Sequence, residues 1–511
     1  MDWGDEIDAL QALCESQRVV VSASHRRPRV FLRISTVENQ LKNCPVCGSV
    51  HPEYQFSIHG RRLMRCVACD VMFAVPHFSS VGSAILQNSF IDGDTLLGNN
   101  FSENPSEGYL SKLQSAGSLT GRRILAEGRG SASFSQFALA QGLESVCAEF
   151  GDLNDEPFDA CVLLDVLGEN AHPAEQLSRV HGLLDTDGLL LLSLPTLDSP
   201  EAYTQKIHWA QFRTHRVVYF DTHNLAALLV RTGFRDILTW PEPDGIVALC
   251  RKTDQAELDR QPRLSIVLPV YNERSTFDQL INTVLEKDFE GLELEIVIVE
   301  SNSTDGSREL VKQYESCPGI KVVYEDKPRG KGYAVRNGLE RISGDIVLIQ
   351  DADLEYDVDD YDALLEPILF HHKLFVLGSR HKGNWKMRQF EDRKLLGTIF
   401  NFGQVFFTWL LNVTCGTRLK DPFTMYKVFH RECLYGLQLE SNRFDLDWEI
   451  VIRFIRKGFV PSEIPVNYTS RSFSEGKKVR PLLDPMLWIV ALVKFRYGPL
   501  YSQHSNKPSK P

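Results

Sequence analysis

LIQDADLEYD, residues 348–357, runs from apolar residues straight into Asp351, Asp353, Glu355 and Asp357. A short apolar run that stops at polar residues reads as a buried strand. Four further runs follow the same plan: LSIVLPVYNE (264–273), LEIVIVESNSTDGS (294–307), IKVVYED (320–326) and LFVLGSR (374–380). Helical patterns such as FDQLINTVLEK and YAVRNGLERI lie between them, and strands alternating with helices predict an open, parallel α/β sheet. Ligands of such sheets bind where the strands' carboxyl ends emerge. Glu273, Glu300, Asp305, Asp351, Asp353 and Arg380 are therefore expected to share one crevice.

Asp351 and Asp353 are separated only by Ala352, so both reach that crevice if the chain turns there. Hard oxygen ligands suit Mg2+ or Mn2+, which bind through one or two carboxylates plus a ligand's phosphates. Glu355 is a candidate third ligand. Asp357, Asp359, Asp360 and Asp362 are expected to begin a helix and stay solvated, and Asp305 is either a ligand contact or a helix cap. Lys327, Arg329 and Lys331 surround Gly330 and Gly332 just before a helix, where backbone N–H groups and lysines can cradle a diphosphate. Arg380 and His381 are candidates for the leaving phosphates.

Taken in order, LPVYNE, SNSTDGS, GKGYAVRNGL, the D-A-D and the following GSR resemble the family 2 glycosyltransferases of the GT-A fold, over roughly residues 264–475. QDADLEYD, DPFTMYKVF and IPVNYTSRSFSEGKK look most like the polyprenyl-phosphate (dolichyl-phosphate) mannosyl- and glucosyltransferases. The resemblance implies that Pro269, Tyr271 and Glu273 hold the base and ribose of a UDP- or GDP-linked sugar. Glu300 stands where the family usually has an aspartate that contacts the base. It also implies inversion by a single displacement. A phosphate acceptor needs no general base, whereas a saccharide or metabolite hydroxyl does; Asp421, Asp445, Asp447 and Glu449 are the candidates. Tyr468, Arg471, Lys477, Lys478 and Arg480 suit an acceptor phosphate or a lipid headgroup surface.

The N-terminal half reads differently. Cys44-Pro-Val-Cys47 and Cys66-Val-Ala-Cys69 have zinc-ribbon spacing, with four thiolates for one structural Zn2+. Downstream, RRILAEG, SVCAEFGD, FDACVLLDVL and DGLLLLSLP predict a second α/β sheet. FDACVLLDVLGENAHPAEQLSRVHGLLDTDGLLLLSLP resembles the class I S-adenosylmethionine methyltransferases, and HRVVYFDTHNLAALLVRTGF looks like the segment that follows in a sugar-modifying subgroup that also carries an N-terminal zinc ribbon. The cofactor loop departs from that family: Arg129, Ser131 and Ala132 interrupt the glycine-rich turn after Glu127, and Glu169-Asn170 replaces the usual Glu-His. Glu149 remains a candidate for a ribose hydroxyl. S-adenosylmethionine is thus expected to be lost from a decayed scaffold, with a working methyltransferase as the alternative.

The expected fold class is multidomain α/β: an extension (1–40), a zinc ribbon (41–80), a Rossmann-like methyltransferase-type domain (81–252), a linker (253–263), a GT-A domain (264–480) and an apolar segment with a tail (481–511). A length of 511 residues demands several cores. The formal net charge of −11 gives no reason to expect a nucleic-acid partner. MDWGDEIDALQ lacks the order of a secretory signal, so cytoplasmic residence is expected. Residues 398–413 and 485–495 are apolar but too short to span a bilayer; each reads first as a buried core helix, with a membrane-surface helix as the alternative. Oligomeric state is not legible.

Overall fold

The computed structural model describes residues 43–75, 105–117, 122–147, 156–212, 215–380, 394–469 and 483–501. They fall into two compact units, one taking in the described parts of Met1–Asn99 with Gly168–Pro173 and Ile207–Tyr219, the other the remainder.

The first unit is built on an antiparallel meander, β1 (Pro52–Ile58), β2 (Arg61–Cys66) and β3 (Met72–Val75), extended by the short strand Val218–Tyr219. His59 and Gly60, both at positive φ, make the two-residue turn between β1 and β2, as right-handed strand twist favours. Each C-x2-C pair lies on its own turn. Gly48 N–H donates to Cys44 and Asp70 N–H to Cys66, both at 2.9 Å, and Gly48 and Asp70 both take left-handed backbone.

The second unit holds two sheets. The first contains β4 (Arg123–Gly128), β5 (Glu144–Cys147), β6 (Phe158–Leu164) and β7 (Leu184–Pro195) in parallel; with Val218–Tyr219 counted as β8, β9 (Phe234–Pro241) and β10 (Gly245–Lys252) complete it in the order β5-β4-β6-β7-β10-β9. β6 and β7 are near-continuous apolar runs because helices cover both faces of such a sheet.

The second sheet contains β11 (Arg263–Val270), β12 (Glu293–Glu300), β13 (Ile320–Tyr324), β14 (Ile346–Ile349), β15 (Phe375–Ser379), β16 (Lys427–His430) and β17 (Ser462–Pro465), in the order β13-β12-β11-β14-β16-β15-β17. The expected parallel core is present in β11 to β14, but the sheet is mixed, since β16 inserts antiparallel between β14 and β15. That insertion pairs Lys427 with Ile349 and, on its other side, with Leu377, so the start of β16 emerges at the same edge as the ends of its neighbours. Helix Phe277–Glu286 buries Phe277, Leu280, Ile281 and Val284, the i, i+3, i+4, i+7 stripe of a core-facing helix.

Two apolar helices, Lys394–Cys415 and Leu483–Tyr497, complete the unit. Their inner faces pack around Trp448, with Phe407 6.0 Å and Trp488 6.4 Å from its ring. Their outer faces expose Phe406, Trp409 and Val413 on one helix, and Met486, Ile489, Val490, Val493 and Tyr497 on the other, at 46 to 73%. Among the described residues no helix is long and apolar enough to cross a membrane.

Candidate active site

β14 ends at Ile349, two residues before Asp351, where the turn is expected. Gln350 is fully buried; its side chain accepts from the Tyr361 hydroxyl at 3.0 Å and donates to the Asp351 carbonyl at 2.9 Å. Thr276 adds a bond from its hydroxyl to the Ala352 carbonyl, 2.9 Å. The Asp351-Ala352-Asp353 turn is thereby tied to two other elements before any ligand arrives.

Asp351 meets the Lys331 ammonium at 2.5 Å, at the first turn of helix Lys331–Leu339. Burial works against the charge on Lys331, but Asp351, Asp447 and Asp353 outweigh it and hold the ammonium above its ordinary range. The buried Asp353 accepts Glu355 N–H at 3.1 Å. Glu355 accepts from the Tyr468 hydroxyl at 2.8 Å. Asp351, Asp353 and Lys331 stand together here, with Glu355 held beside them by Tyr468.

Asp447, on the first turn of helix Leu446–Arg456, faces the same cluster. Burial, with Asp351 nearby, pushes its carboxyl above the usual range against the pull of Lys427 and Lys331. Lys427 is fully buried, 3.4 Å from Asp447, and burial lowers its own pKa. Sequence reasoning passed over Lys427; its signal was a charge at the head of the otherwise apolar strand KVFH.

Several expected roles are filled by the protein's own groups. Glu449 is fully buried and accepts from Glu440 N–H, Ser441 N–H and Arg453, the last at 2.9 Å; it pins the loop before its helix. Arg380 grips Asp421 with two 2.7 Å bonds and stacks over Tyr468. Burial opposes its charge, yet Asp421 holds the guanidinium well above its ordinary value. Arg380, expected at the phosphates, and Asp421, a candidate base, are thus paired with each other. Glu300 is also fully buried, bonded to the amides of Asn302 and Ser303 and to Arg308 at 2.9 Å, which leaves its carboxylate committed to its own loop rather than to a base.

Gly330 and Gly332 also serve packing: a Cβ at Gly330 would strike the Asn442 carbonyl and one at Gly332 the backbone of Asn442 and Arg443, and Tyr333 N–H donates to the Asn442 carbonyl at 3.1 Å. Asp305 accepts from Arg274 and Ser307 N–H at 3.1 and 3.0 Å, a loop tie at the start of helix Ser307–Lys312. Pro269 and Tyr271 sit half-buried at the end of β11, and Glu273 is buried beside them, its N–H donating to Ser307 Oγ at 2.9 Å. Asp357 caps the following turn through Asp359 N–H at 3.0 Å, as expected of the outer acids. Asp445, by contrast, accepts from Arg443 N–H, 3.0 Å. His381, Arg471, Lys477, Lys478 and Arg480 lie outside the described residues.

In the ribbon, Cys44 and Cys69 sulfurs stand 3.6 Å apart and those of Cys47 and Cys66 3.4 Å apart, all four within 4.8 Å of one another. Tetrahedral bonds of about 2.3 Å to zinc place sulfurs about 3.8 Å apart, so the set fits that ion. In the methyltransferase-like sheet, Gly128 is required, because a Cβ there would strike the Leu164 carbonyl. Arg129 N–H donates to that carbonyl at 2.8 Å, and its guanidinium stands 3.8 Å from Asp165. Glu169 accepts a 3.1 Å pairing with His215, and Glu149 lies outside the described residues.

The profile of glycosyl transferase family 2 matches residues 265–434. A dolichyl-phosphate beta-glucosyltransferase of Trichomonas vaginalis is 30% identical over 229 residues, covering 42% of this chain and 68% of that one. The chain belongs to glycosyl transferase family 2. The family 2 domain is also 27% identical to the dolichol-phosphate mannosyltransferase of Pyrococcus furiosus over 46% of this chain. The chain spans 64% of that relative's length. Glucosyl-3-phosphoglycerate synthase from Mycobacterium tuberculosis, solved with Mg2+ and UDP, aligns at 22% identity and a TM-score of 0.36 over 47% of this chain and 80% of that one. Ahead of the family 2 domain, a methyltransferase domain profile matches residues 101–239.

Proposed function

We propose that the protein transfers a sugar from a UDP- or GDP-linked donor to a polyprenyl phosphate at a membrane surface, with inversion in a single displacement. The observation that carries this reading is the juxtaposition of Asp351, Asp353 and Lys331 where β11 to β14 end. Asp351 and Asp353 would hold Mg2+ or Mn2+, whose chemistry is to neutralise the charge that develops on the departing diphosphate. Lys331 lends a fixed cation to the same oxygens, Pro269, Tyr271 and Glu273 border the nucleoside, and Asp447 closes the crevice from the acceptor side. The two relatives support the acceptor class through what their names state. A hydroxyl acceptor is the second reading, favoured by the raised pKa of Asp447, which suits a general base. Supplying the protein with Mn2+, a donor panel and either a polyprenyl phosphate or an alkyl glycoside separates the two. Product from the glycoside alone would overturn the first, and product from neither would overturn both.

The exposed apolar faces of helices Lys394–Cys415 and Leu483–Tyr497 support peripheral binding to the bilayer in which such an acceptor resides. Trp409→Asp with Val490→Asp is expected to weaken co-sedimentation with anionic lipid vesicles at least tenfold, without altering the melting temperature. Unchanged sedimentation would contradict this.

The four cysteines hold a structural Zn2+, and the methyltransferase-like domain serves as a scaffold. Metal analysis is expected to find about one zinc per chain, and Cys66→Ser to lose it along with the ribbon's protection from proteolysis. A metal-free, fully protected ribbon would contradict that assignment.

A further inference from the structure

β9 is an edge strand of the methyltransferase-like sheet, paired on one side with β10. An edge strand turns every second amide outward, and those groups must find partners. Here the partners come from the family 2 half. Ile237 N–H donates to the buried Glu432 carboxylate at 3.1 Å. Two residues on, Thr239 N–H donates to the Tyr501 hydroxyl at 2.9 Å, and that hydroxyl donates back to the Thr239 carbonyl at 2.8 Å. One phenol thus makes both bonds that a neighbouring strand residue would make.

The same contact reaches the helix that carries Asp447. Thr239 Oγ1 donates to the carbonyl of Lys457, the residue that caps helix Leu446–Arg456, at 3.3 Å. Lys457 is fully buried, its ammonium donating to the Glu432 and Tyr435 carbonyls at 2.9 Å each. The next residue, Gly458, has a φ of +91°, and a side chain there would collide with Thr222 of helix Thr222–Arg231. One end of the helix is fixed to the methyltransferase-like domain. The other presents Asp447 to Lys427 and Lys331, about 16 Å away along an eleven-residue helix.

We propose that the methyltransferase-like domain is a built-in positioning scaffold for the family 2 half, in which the β9 edge clamps the carboxyl end of helix Leu446–Arg456 and so sets Asp447 at its other end. Thr239 and Tyr501 are the positioning residues. The consequence for catalysis rests on the transferase reading above; the clamp itself does not.

The test compares amide hydrogen exchange in the full-length wild type, Tyr501→Phe, the double variant Thr239→Val with Tyr501→Phe, and Thr239→Ser. Removing these bonds is expected to speed exchange across Leu446–Arg456 by roughly tenfold in the double variant and less in Tyr501→Phe. Thr239→Ser, which keeps the hydroxyl, should match the wild type, and strand β12 should be unchanged throughout. Given a working donor and acceptor, the double variant should lower kcat while leaving the donor's KM unaltered. Unchanged exchange in helix Leu446–Arg456 would overturn the clamp, and equal acceleration in β12 would reduce it to general destabilisation and overturn it likewise. Absent sugar transfer in the wild type would sink only the transferase reading, because exchange does not depend on turnover.

Discussion

An Asp351→Asn protein is expected to transfer sugar at least a hundredfold more slowly than the wild type while melting at nearly the same temperature. Asp351 is partly exposed at the crevice, 2.5 Å from Lys331, so its loss removes a charge from the site rather than an anchor from the core. A preorganised group that stabilises charge developing in the transition state contributes about 3 kcal/mol, roughly a hundredfold in rate. Losing a proposed metal ligand as well should exceed that. Steady-state kinetics with a thermal melt on the same preparation checks both halves of the statement. Wild-type turnover in the variant would remove Asp351 from the mechanism.

The second large effect is on stability. Asp421→Asn is expected to destabilise the protein by about 3–5 kcal/mol, because removing one partner of a buried ion pair strands the other charge. Arg380 is nearly buried and donates through its backbone N–H, Nε and Nη2 to Asp421, which is fully buried and also accepts from Gln404 at 3.2 Å. Replacing both members, as Arg380→Met with Asp421→Asn, should recover part of the loss, since no unpaired charge remains. Chemical denaturation of the two variants gives the comparison; equal stability of Asp421→Asn and the wild type would show that the pair contributes nothing net.

The fold was largely legible because its strands are written as uninterrupted apolar runs. The five strands expected in residues 264–380 and their parallel core were found where the pattern placed them, and the two C-x2-C pairs converge as their spacing implied. β16 was missed because KVFH is four residues long and begins with a lysine; only pairing with Ile349 and Leu377 makes it a strand. Charged residues were harder to place. Asp351, Arg380, Glu300 and Glu449 look alike in sequence, each an ionisable group at the end or start of an element. Tertiary approach separates them: Arg308 and Arg453 reach Glu300 and Glu449 from nearby turns of helix, while Asp421 reaches Arg380 across forty residues of chain. The glycines of GKG also have a role that the sequence does not show, since they allow the close approach of residues 442 and 443.

Asp351 and Asp353, with Lys331 beside them, are proposed to take the diphosphate of a nucleotide through a divalent ion. Calorimetric titration of UDP and GDP, with and without Mn2+, into the wild type and Asp351→Asn tests it without an acceptor. One of the two nucleotides is expected to bind the wild type, omission of Mn2+ to weaken the binding at least tenfold, and Asp351→Asn to abolish the metal dependence. Equal affinity in the two proteins, with Mn2+ present, would contradict it.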